Sequence, residues 1–256
     1  MRVAGRGRIL FWEGASLWIM EALPRADGLS NSTDYHAHHA IQVSLSLGGQ
    51  FKLLTKKAVV QGAAAVAPDE GHIFEAGGLI ANLFIEPESA PGRAICQSFF
   101  QKAKLVPIAA PLFADVTQRL QKAYCSSRPD ERVLESLGRS LVERLAGSSS
   151  ARQPEPRVQK MIAFAASHLE NAISLEAAAR NVGLSSGRAR HLFVEQTGLP
   201  FRTYLLWLKI VKAVELFSDG RSLTEAAHEA GFADSAHFSR TFRRMFGIPA
   251  AALEIL

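Results

Sequence analysis

The sequence predicts an α+β protein of two domains, an N-terminal β-barrel or sandwich with flanking helices and a C-terminal domain built only of helices. Three observations predict it. Residues 8–86 alternate short apolar runs with Gly, Pro, Asn and Asp, residues 91–146 repeat apolar positions every three or four residues, and residues 174–249 contain one helical pattern twice. With 256 residues, 48% of them apolar and 21% charged, the chain is long enough for two cores.

Eight short apolar runs in residues 1–90 have the length of β-strands. They are ILFW, SLWIM, IQVSLSL, FKLLT, AVVQ, AAAVA, HIFEA and LIANLFIE. Gly48 and Gly49, between two of the runs, predict a tight hairpin. Glu13 and Gly14 cut the first apolar run short, so it predicts a strand and not a signal peptide, and no run reaches the roughly 20 residues of a membrane span.

Residues 91–146 return to helical periodicity and are interpreted as the helical part of the N-terminal domain. GRAICQSFFQKAK, PLFADVTQRLQKAY and DERVLESLGRSLVERLAG each place apolar residues three and four apart, and prolines separate them. The last segment carries a stripe of Leu134, Leu137, Leu141 and Leu145. This stripe would either pack on the barrel or pair with its copy in a second subunit, and the pattern alone leaves both open.

Cysteine usage and charge place few limits on function. Cys96 and Cys125 lie in predicted helices and are expected to be buried and unpaired, which fits a reducing cytoplasm. Residues 157–256 hold 12 Lys and Arg against 9 Asp and Glu, a surplus of 3 within the net charge of +5. Such a small surplus would not indicate nucleic acid on its own. Residues 147–156, GSSSARQPEP, predict a linker that leads into a helix over residues 157–170.

The most informative stretch is the internal repeat. The first repeat reads SLEAAARNVGLSSGRARHLFVEQTGLP and the second SLTEAAHEAGFADSAHFSRTFRRMFGIP. In each, a serine caps a short helix, a glycine (Gly183 or Gly231) ends it, and a second helix follows; Ser222 and Glu225 have the spacing of a capping box. Two short helices around such a turn predict a helix-turn-helix unit, whose second helix enters the major groove of DNA.

A long helix is predicted between the two repeats. Residues 201–217, FRTYLLWLKIVKAVELF, contain no Gly or Pro and are strongly apolar. At 1.5 Å per residue this helix would be about 25 Å long, which suits the roughly 34 Å between successive major-groove faces once the width of each repeat is added. The connector is therefore expected to set the spacing of two DNA contacts.

Helical phase predicts which side chains of the second helices face DNA. Burial of Ala189, Leu192 and Phe193, and of Phe238, Phe242 and Met245, turns the opposite faces outward. The base-reading candidates are Gly187, Arg190 and His191 in the first repeat and Ala236, Ser239 and Arg240 in the second. The phosphate-binding candidates are Ser186, Arg188, Ser235, His237, Arg243 and Arg244. Arginine donates a two-pronged hydrogen bond to guanine, so Arg190 and Arg240 are the principal readers, whereas His191 would read a base or a phosphate.

Residues 157–256 resemble the DNA-binding domain of the AraC/XylS family of bacterial transcriptional regulators. The resemblance rests on SLEAAA, VGLSS and TGLPF in the first repeat and on AGFADSAHFSRTFRRMFGIP in the second. It implies reading residues at Arg190 and Arg240, a cupin-like barrel that senses a small-molecule effector in residues 1–90, dimerisation through the N-terminal half, and double-stranded DNA and RNA polymerase as partners. Gly187 and Ala236 are smaller than the family's usual residues, so we expect the second repeat to supply at least as much specificity as the first.

Four histidines are the polar candidates of the N-terminal domain. YHAHHAIQVSLSL and PDEGHIFE resemble the two histidine-bearing segments of cupins, so His36, His38 and His72 would converge either on a metal ion or, with His39, as the polar lining of an effector pocket. Residues 41–47 contain no glutamate to complete a cupin metal site, and no metal or cofactor is therefore predicted.

Three functions are consistent with the sequence. A ligand-modulated transcription factor is predicted; the alternatives are a cupin-type metal enzyme with an accessory DNA-binding domain and a DNA-binding protein without an effector. Catalysis is not predicted, because the sequence contains no pattern of a nucleophile with its base and no phosphate-binding glycine loop.

Overall fold

The computed structural model describes residues 4–23, 31–147, 155–171 and 173–256. It divides into two compact units, each with its own core. The β unit comprises Met1–Ala151 together with Arg243–Leu256, and the helical unit comprises Arg152–Phe242. The predicted linker, residues 147–156, lies outside the described residues except at its ends.

The described residues of the β unit form ten strands. These are β1 (Gly5–Trp12), β2 (Ala15–Ala22), β3 (Asn31–Ser32), β4 (Ile41–Ser46), β5 (Gln50–Thr55), β6 (Val59–Gln61), β7 (Ala64–Val66), β8 (His72–Ile85), β9 (Leu105–Pro107) and β10 (Leu253–Ile255). The strand order is β10-β1-β2-β8-β4-β7-β9, with β3, β5 and β6 joined at β8 and β5. The α+β class and the two-domain arrangement are confirmed.

Strand β8 is the centre of the sheet and merges two of the predicted strands, HIFEA and LIANLFIE. Its second half pairs with β2 on one side and β4 on the other, and its first half pairs with β5. Gly77 and Gly78 lie between the halves, and Gly78 has a φ of +78° that bends the strand. One strand therefore passes through both parts of the sheet.

The predicted hairpin at Gly48 and Gly49 is wrong. The flanking strands β4 and β5 do not pair with each other, because both run antiparallel to β8 in one continuous ladder. The glycines form a bulge in that ladder: the amides of Leu47 and Gly49 both donate to the carbonyl of Leu79, at 3.0 and 3.1 Å. A Cβ on Gly49 would lie 2.5 Å from the Gly77 oxygen, so the close crossing needs glycine.

Alternation along the strands gives the sheet two buried faces. Leu17 and Ile19 of β2 belong to the large apolar core, as do Ile41, Val43 and Leu45 of β4. The intervening residues, among them Trp18 and Gln42, point to the opposite face. Since this second face is also buried, its polar side chains need partners inside the protein.

Three helices cover the first face of the sheet. They are α1 (Ala90–Phe99), α2 (Ala114–Tyr124) and α3 (Glu131–Ala146), with a short 3-10 helix at Ala110–Phe113 before α2. Helix α1 ends earlier than the predicted segment, since the chain continues into β9. The predicted stripe packs on the sheet: Leu134, Leu137, Leu141 and Leu145 are each at most 4% exposed and lie in the core. A dimer would have to use other residues.

The helical unit contains the predicted repeats. Its helices are α4 (Pro156–Ala166), α5 (Leu175–Asn181), α6 (Ser186–Thr197), α7 (Phe201–Ser218), α8 (Leu223–Glu229) and the greater part of α9 (Ser235–Phe246). Ser174 and Ser185 accept from the amides of Ala177 and Arg188, and Ser222 forms the capping box with Glu225. Helix α4 ends four residues before the predicted end at residue 170.

The end of the chain forms part of the β unit, whereas the sequence assigned all of residues 157–256 to one helical domain. Strand β10 pairs in parallel with β1, with Gly5 opposite Leu253 and Gly7 opposite Ile255.

The interpretation of both cysteines as buried is also wrong, because Cys125 is exposed although Cys96 is half-buried; both are free thiols. None of the helices described is both long and apolar enough to cross a bilayer.

Candidate nucleic-acid interface and ligand cavity

Helix α6 presents the outward face that its periodicity predicted. Ala189, Leu192 and Phe193 are buried. The residues Gly187, Arg188, Arg190, His191 and Val194 are exposed, and Ser186 is partly so. Nothing lies within 4 Å of the position of a Cβ on Gly187, so the smaller residue leaves open space at the start of the helix.

Helix α9 presents the corresponding face in the second repeat. Phe238 and Phe242 are each 1% exposed. The exposed residues are Ser235, Ala236, Ser239, Arg240, Arg243 and Arg244, whereas His237 is half-buried. The Asp234 carboxylate accepts from the His237 amide at 2.6 Å and so caps the helix, a role that the sequence reading had not assigned. The Ser239 hydroxyl donates to the Ser235 carbonyl at 2.8 Å, which leaves its oxygen able to accept.

A concave surface of the helical unit, which surrounds a volume of about 700 Å³, extends along α7 from the first repeat to the second. Arg190 of the first repeat and His237 of the second both line it, together with Arg202 and Lys209 of α7. The Lys209 ammonium donates to the Gly231 carbonyl, and burial lowers the pKa of Lys209. Sequence reasoning missed Arg202 and Lys209, although their spacing of seven residues places both on one face of the connector helix.

Arg243, a predicted phosphate contact, is engaged by a carboxylate of the β unit. Its Nε and Nη2 atoms lie 2.9 and 2.8 Å from Asp34 Oδ2. Both side chains are more than half exposed, at 60% and 58%, so water and salt weaken this pair.

The second buried face of the sheet lines a mainly apolar cavity of about 130 Å³ that is open on one side. Its apolar wall includes Trp18, Met20 and Phe84 from the sheet and Phe246, Ile248 and Leu253 from the end of the chain. The Phe246 ring stacks on Trp18, with centroids 5.0 Å apart. Its polar wall includes His36, Gln42 and Asn82.

Three of the four predicted histidines meet beside this cavity. His36, His38 and His72 are at most 5% exposed, and one ring nitrogen of each lies within 4.8 Å of the others. Burial and the neighbouring His72 imidazole lower the pKa of His36 to about 4. Burial also holds the pKa of His38 well below its ordinary value and lowers the pKa of His72. All three rings are therefore neutral near pH 7.

Gln42 completes this cluster and was missed by the sequence reading. Its Oε1 atom lies 3.0 Å from His38 Nε2 and 3.1 Å from His72 Nε2. Its amide nitrogen donates to Ser44 at 3.0 Å and points to Asn82 Oδ1 at 3.4 Å. The signal was a glutamine four residues after His38 within the apolar run IQVSLSL, where only a glutamate had been sought.

His39 does not line the cavity, contrary to the predicted pocket. Its Nδ1 and Nε2 atoms lie 2.8 Å from Asp69 and 2.8 Å from Glu88. Burial alone would lower the pKa of His39, but hydrogen bonds to the two carboxylates outweigh it and raise this pKa to about 9. His39 is therefore a charged, structural link between Asp69 and Glu88.

Two helix-turn-helix repeats and a separate β unit with a cavity define a two-domain helix-turn-helix protein. Residues 178–254 match the family described as a helix-turn-helix domain. The transcriptional activator RhaS of Escherichia fergusonii is 41% identical over 95 residues, which are 36% of this chain and 34% of RhaS. RhaS of an Escherichia coli strain is 34% identical over 108 residues, which are 42% and 37% of the two chains. The match thus spans about a third of the length of these relatives.

Solved structures of ToxT from Vibrio cholerae share the fold over most of this chain. An apo variant superposes with a TM-score of 0.61 at 11% identity over 94% of this chain and 96% of that one. Wild-type ToxT bound to an unsaturated fatty acid gives 0.57 at 12% identity over 93% and 95%. At such identities the likeness shows the fold alone. The matched helix-turn-helix domain and the RhaS relatives agree with the resemblance of residues 157–256 to the AraC/XylS family.

Proposed function

We propose that the protein regulates transcription by binding a specific double-stranded DNA site with α6 and α9, and that a small molecule in the cavity modulates this binding. The observation that carries the proposal is the shared outward placement of Arg190 and Arg240 on the second helices of the two repeats. The relatives named as transcriptional activators support the first part. A regulatory role also accounts for the helix-turn-helix repeats without requiring catalysis.

The two repeats would contact successive major grooves with α7 as the spacer. Arg190 and Arg240 would read guanines, while Ser186, Arg188 and Arg244 would bind the flanking phosphates. Arg202, on the concave surface along α7, suits the phosphate backbone that runs between the two grooves. The ranking of the two repeats by their contribution to DNA sequence specificity is the one predicted from the sequence. Because Gly187 and Ala236 are small, the second repeat would supply at least as much specificity as the first.

Selection of binding sites from random DNA, followed by fluorescence anisotropy, tests the DNA interface. We expect Arg240→Ala and Arg190→Ala each to reduce discrimination between the selected and a random duplex by about 1–3 kcal/mol, roughly 5- to 150-fold. Arg188→Ala should instead weaken both duplexes equally and reduce the salt dependence by about one phosphate contact. Arg119→Ala, an exposed arginine on α2, is the matched control and should change neither.

Two results would contradict the interface. A wild-type protein that yields no selected sequence, and binds all duplexes alike at ordinary salt, would remove sequence-specific binding altogether. Discrimination that survives Arg240→Ala but is abolished by Arg190→Ala would reverse the order proposed for the two repeats.

The cavity supports effector binding because the last turn of α9 forms part of its wall. Phe246, the final residue of that helix, contacts Trp18 and lies 5.8 Å from the His38 ring centroid. A ligand that displaced Phe246 would move the last turn and the Arg243–Asp34 ion pair with it. Coupling of this kind is reciprocal, so DNA and effector would change each other's affinity by the same factor.

A thermal-shift screen of small metabolites would find such a ligand, since binding to the folded state alone raises Tm. The full chain is required. A fragment that ends before the linker lacks Phe246, Ile248 and Leu253 and would open the cavity. A ligand whose affinity is the same with and without the selected duplex would contradict the proposed modulation.

A further inference from the structure

Val194 is an exposed apolar side chain on α6. It is 38% exposed, and among the described residues of the helical unit no other large apolar side chain is exposed. Valine also has a lower helix propensity than alanine, lysine or glutamine, any of which would suit an exposed helical position better. Neither burial nor helix formation therefore accounts for this residue.

Val194 lies in the middle of the face that α6 turns outward. At about 100° per residue, it is separated around the helix axis by about 20° from Gly187, about 40° from Arg190 and about 60° from His191. All of these residues are exposed, whereas buried Leu192 lies on the opposite side of the helix. An apolar group therefore stands among the residues that are proposed to read bases.

Gly187 allows this part of α6 to lie close to DNA. It precedes Val194 by seven residues, or about two turns, and it has no side chain that would hold the helix away from the base pairs. A Cβ on Gly187 would meet nothing within 4 Å, so the space in front of it is open. A valine side chain is short, and only such a close approach brings it to the base edges.

Valine can recognise only one feature of the major groove. Its side chain neither donates nor accepts a hydrogen bond, so it binds neither phosphate oxygens nor the polar edges of the bases. The C5 methyl group of thymine is the apolar group that unmodified base pairs present there, and an apolar side chain reads it by contact. The chemistry of Val194 therefore suits a thymine.

We propose that Val194 contacts the C5 methyl group of a thymine one or two base pairs from the guanine that Arg190 reads. The spacing follows from the helix, because side chains four residues apart have Cβ atoms about 5–6 Å apart and successive bases are about 3.4 Å apart along the duplex. This contact rests on the proposed DNA-binding function and adds a specificity determinant to it. Since no hydrogen bond is involved, the methyl group alone carries the discrimination.

Replacement of single thymines by deoxyuridine tests the contact, because uracil lacks the methyl group and keeps the hydrogen-bonding groups of thymine. The full-length protein is titrated with duplexes that carry the site selected from random DNA, and Kd is measured by fluorescence anisotropy at fixed salt. The guanine that Arg190 reads is the one whose replacement no longer matters in Arg190→Ala. Within two base pairs of it, we expect a thymine at which uracil weakens binding roughly 4-fold, the effect of one lost methyl-sized contact.

Substitution of Val194 assigns this effect to its side chain. Alanine has the higher helix propensity, so Val194→Ala should fold, and it should bind the thymine and uracil duplexes nearly equally. Val133→Ala, at an exposed valine of α3, is the matched control and should retain the difference between them.

The methyl group can also be restored on another base. With cytosine in place of the contacted thymine, its replacement by 5-methylcytosine should strengthen wild-type binding by a similar factor of roughly 4. The same replacement should leave binding by Val194→Ala unchanged.

Three results would overturn the proposal. A selected site with no thymine within two base pairs of that guanine, or with thymines that all tolerate uracil, would show that no methyl group is read there. An equal loss of affinity for every duplex in Val194→Ala would place the side chain against the sugar-phosphate backbone. A uracil effect that persists in folded Val194→Ala would assign the contact to another residue. Each of these results leaves sequence-specific binding intact, because failure of the DNA-binding function would appear as the absence of any selected site.

Discussion

Gly247 and Gly198 occupy the same position, immediately after the second helix of each repeat, but their surroundings differ. Both have a left-handed backbone, with φ of +68° and +76°. A Cβ on Gly198 would meet nothing within 4 Å, whereas a Cβ on Gly247 would lie 2.5 Å from the Asp34 oxygen and 2.7 Å from His36 Nδ1. The Gly247 carbonyl also accepts from the Asp34 amide at 2.8 Å. Gly198→Ala is therefore a matched control for Gly247→Ala.

The two substitutions should differ in cost. Each forces alanine into the left-handed region, at about 1–2 kcal/mol. Only Gly247→Ala adds an overlap with the Asp34 carbonyl oxygen, a backbone atom that cannot rotate away, and overpacking of this kind costs about 1–3 kcal/mol more. We expect Gly247→Ala to destabilise the protein by about 2–5 kcal/mol and Gly198→Ala by about 1–2 kcal/mol.

Hydrogen exchange measured by mass spectrometry in increasing urea separates the effects, because it reports the opening of each segment. Gly247→Ala should expose the amides of β10 and of β1, its parallel partner. Gly198→Ala should affect α6 and α7 and leave β10 protected. Equal costs for the two variants, or a β10 that exchanges no faster after Gly247→Ala, would refute the packing of the chain end on the β unit.

Three further predictions concern local stability and reactivity. Ser222→Ala removes the capping box of α8 and should lower the free energy of unfolding of the helical unit by about 1 kcal/mol in urea titrations; no loss would contradict the cap. The pKa of His39 is raised from 6.5 to about 9. The charged ring therefore stabilises the folded state fully below pH 6.5, and this stabilisation is lost as pH rises through 9. The free energy of unfolding of the β unit should fall by about 3 kcal/mol over that interval, and His39→Gln should remove this slope. Iodoacetamide should alkylate exposed Cys125 well before half-buried Cys96, because burial raises the pKa of the Cys96 thiol to about 11. Mass spectrometry of single-cysteine variants measures the two rates, and faster alkylation of Cys96 would contradict this expectation.

The sequence alone determined the features that depend on neighbouring residues. Helical periodicity identified α6, α7 and α9, serine caps identified where helices begin, and the same periodicity turned Arg190 and Arg240 outward. These predictions succeeded because a helix satisfies its backbone within a few residues, and its apolar side faces the core wherever that core lies.

Only the tertiary structure decided which distant residues meet. The pairing of β4 and β5 with β8 replaced the predicted hairpin and brought His72 to His38 and Gln42. The same folding separated His39 from its neighbours and placed Phe246 in the cavity wall. Strand register depends on partners far along the chain, and a shift of one residue reverses every side chain. A local pattern could therefore identify the histidines, but it could not identify Gln42 as the residue that contacts two of them.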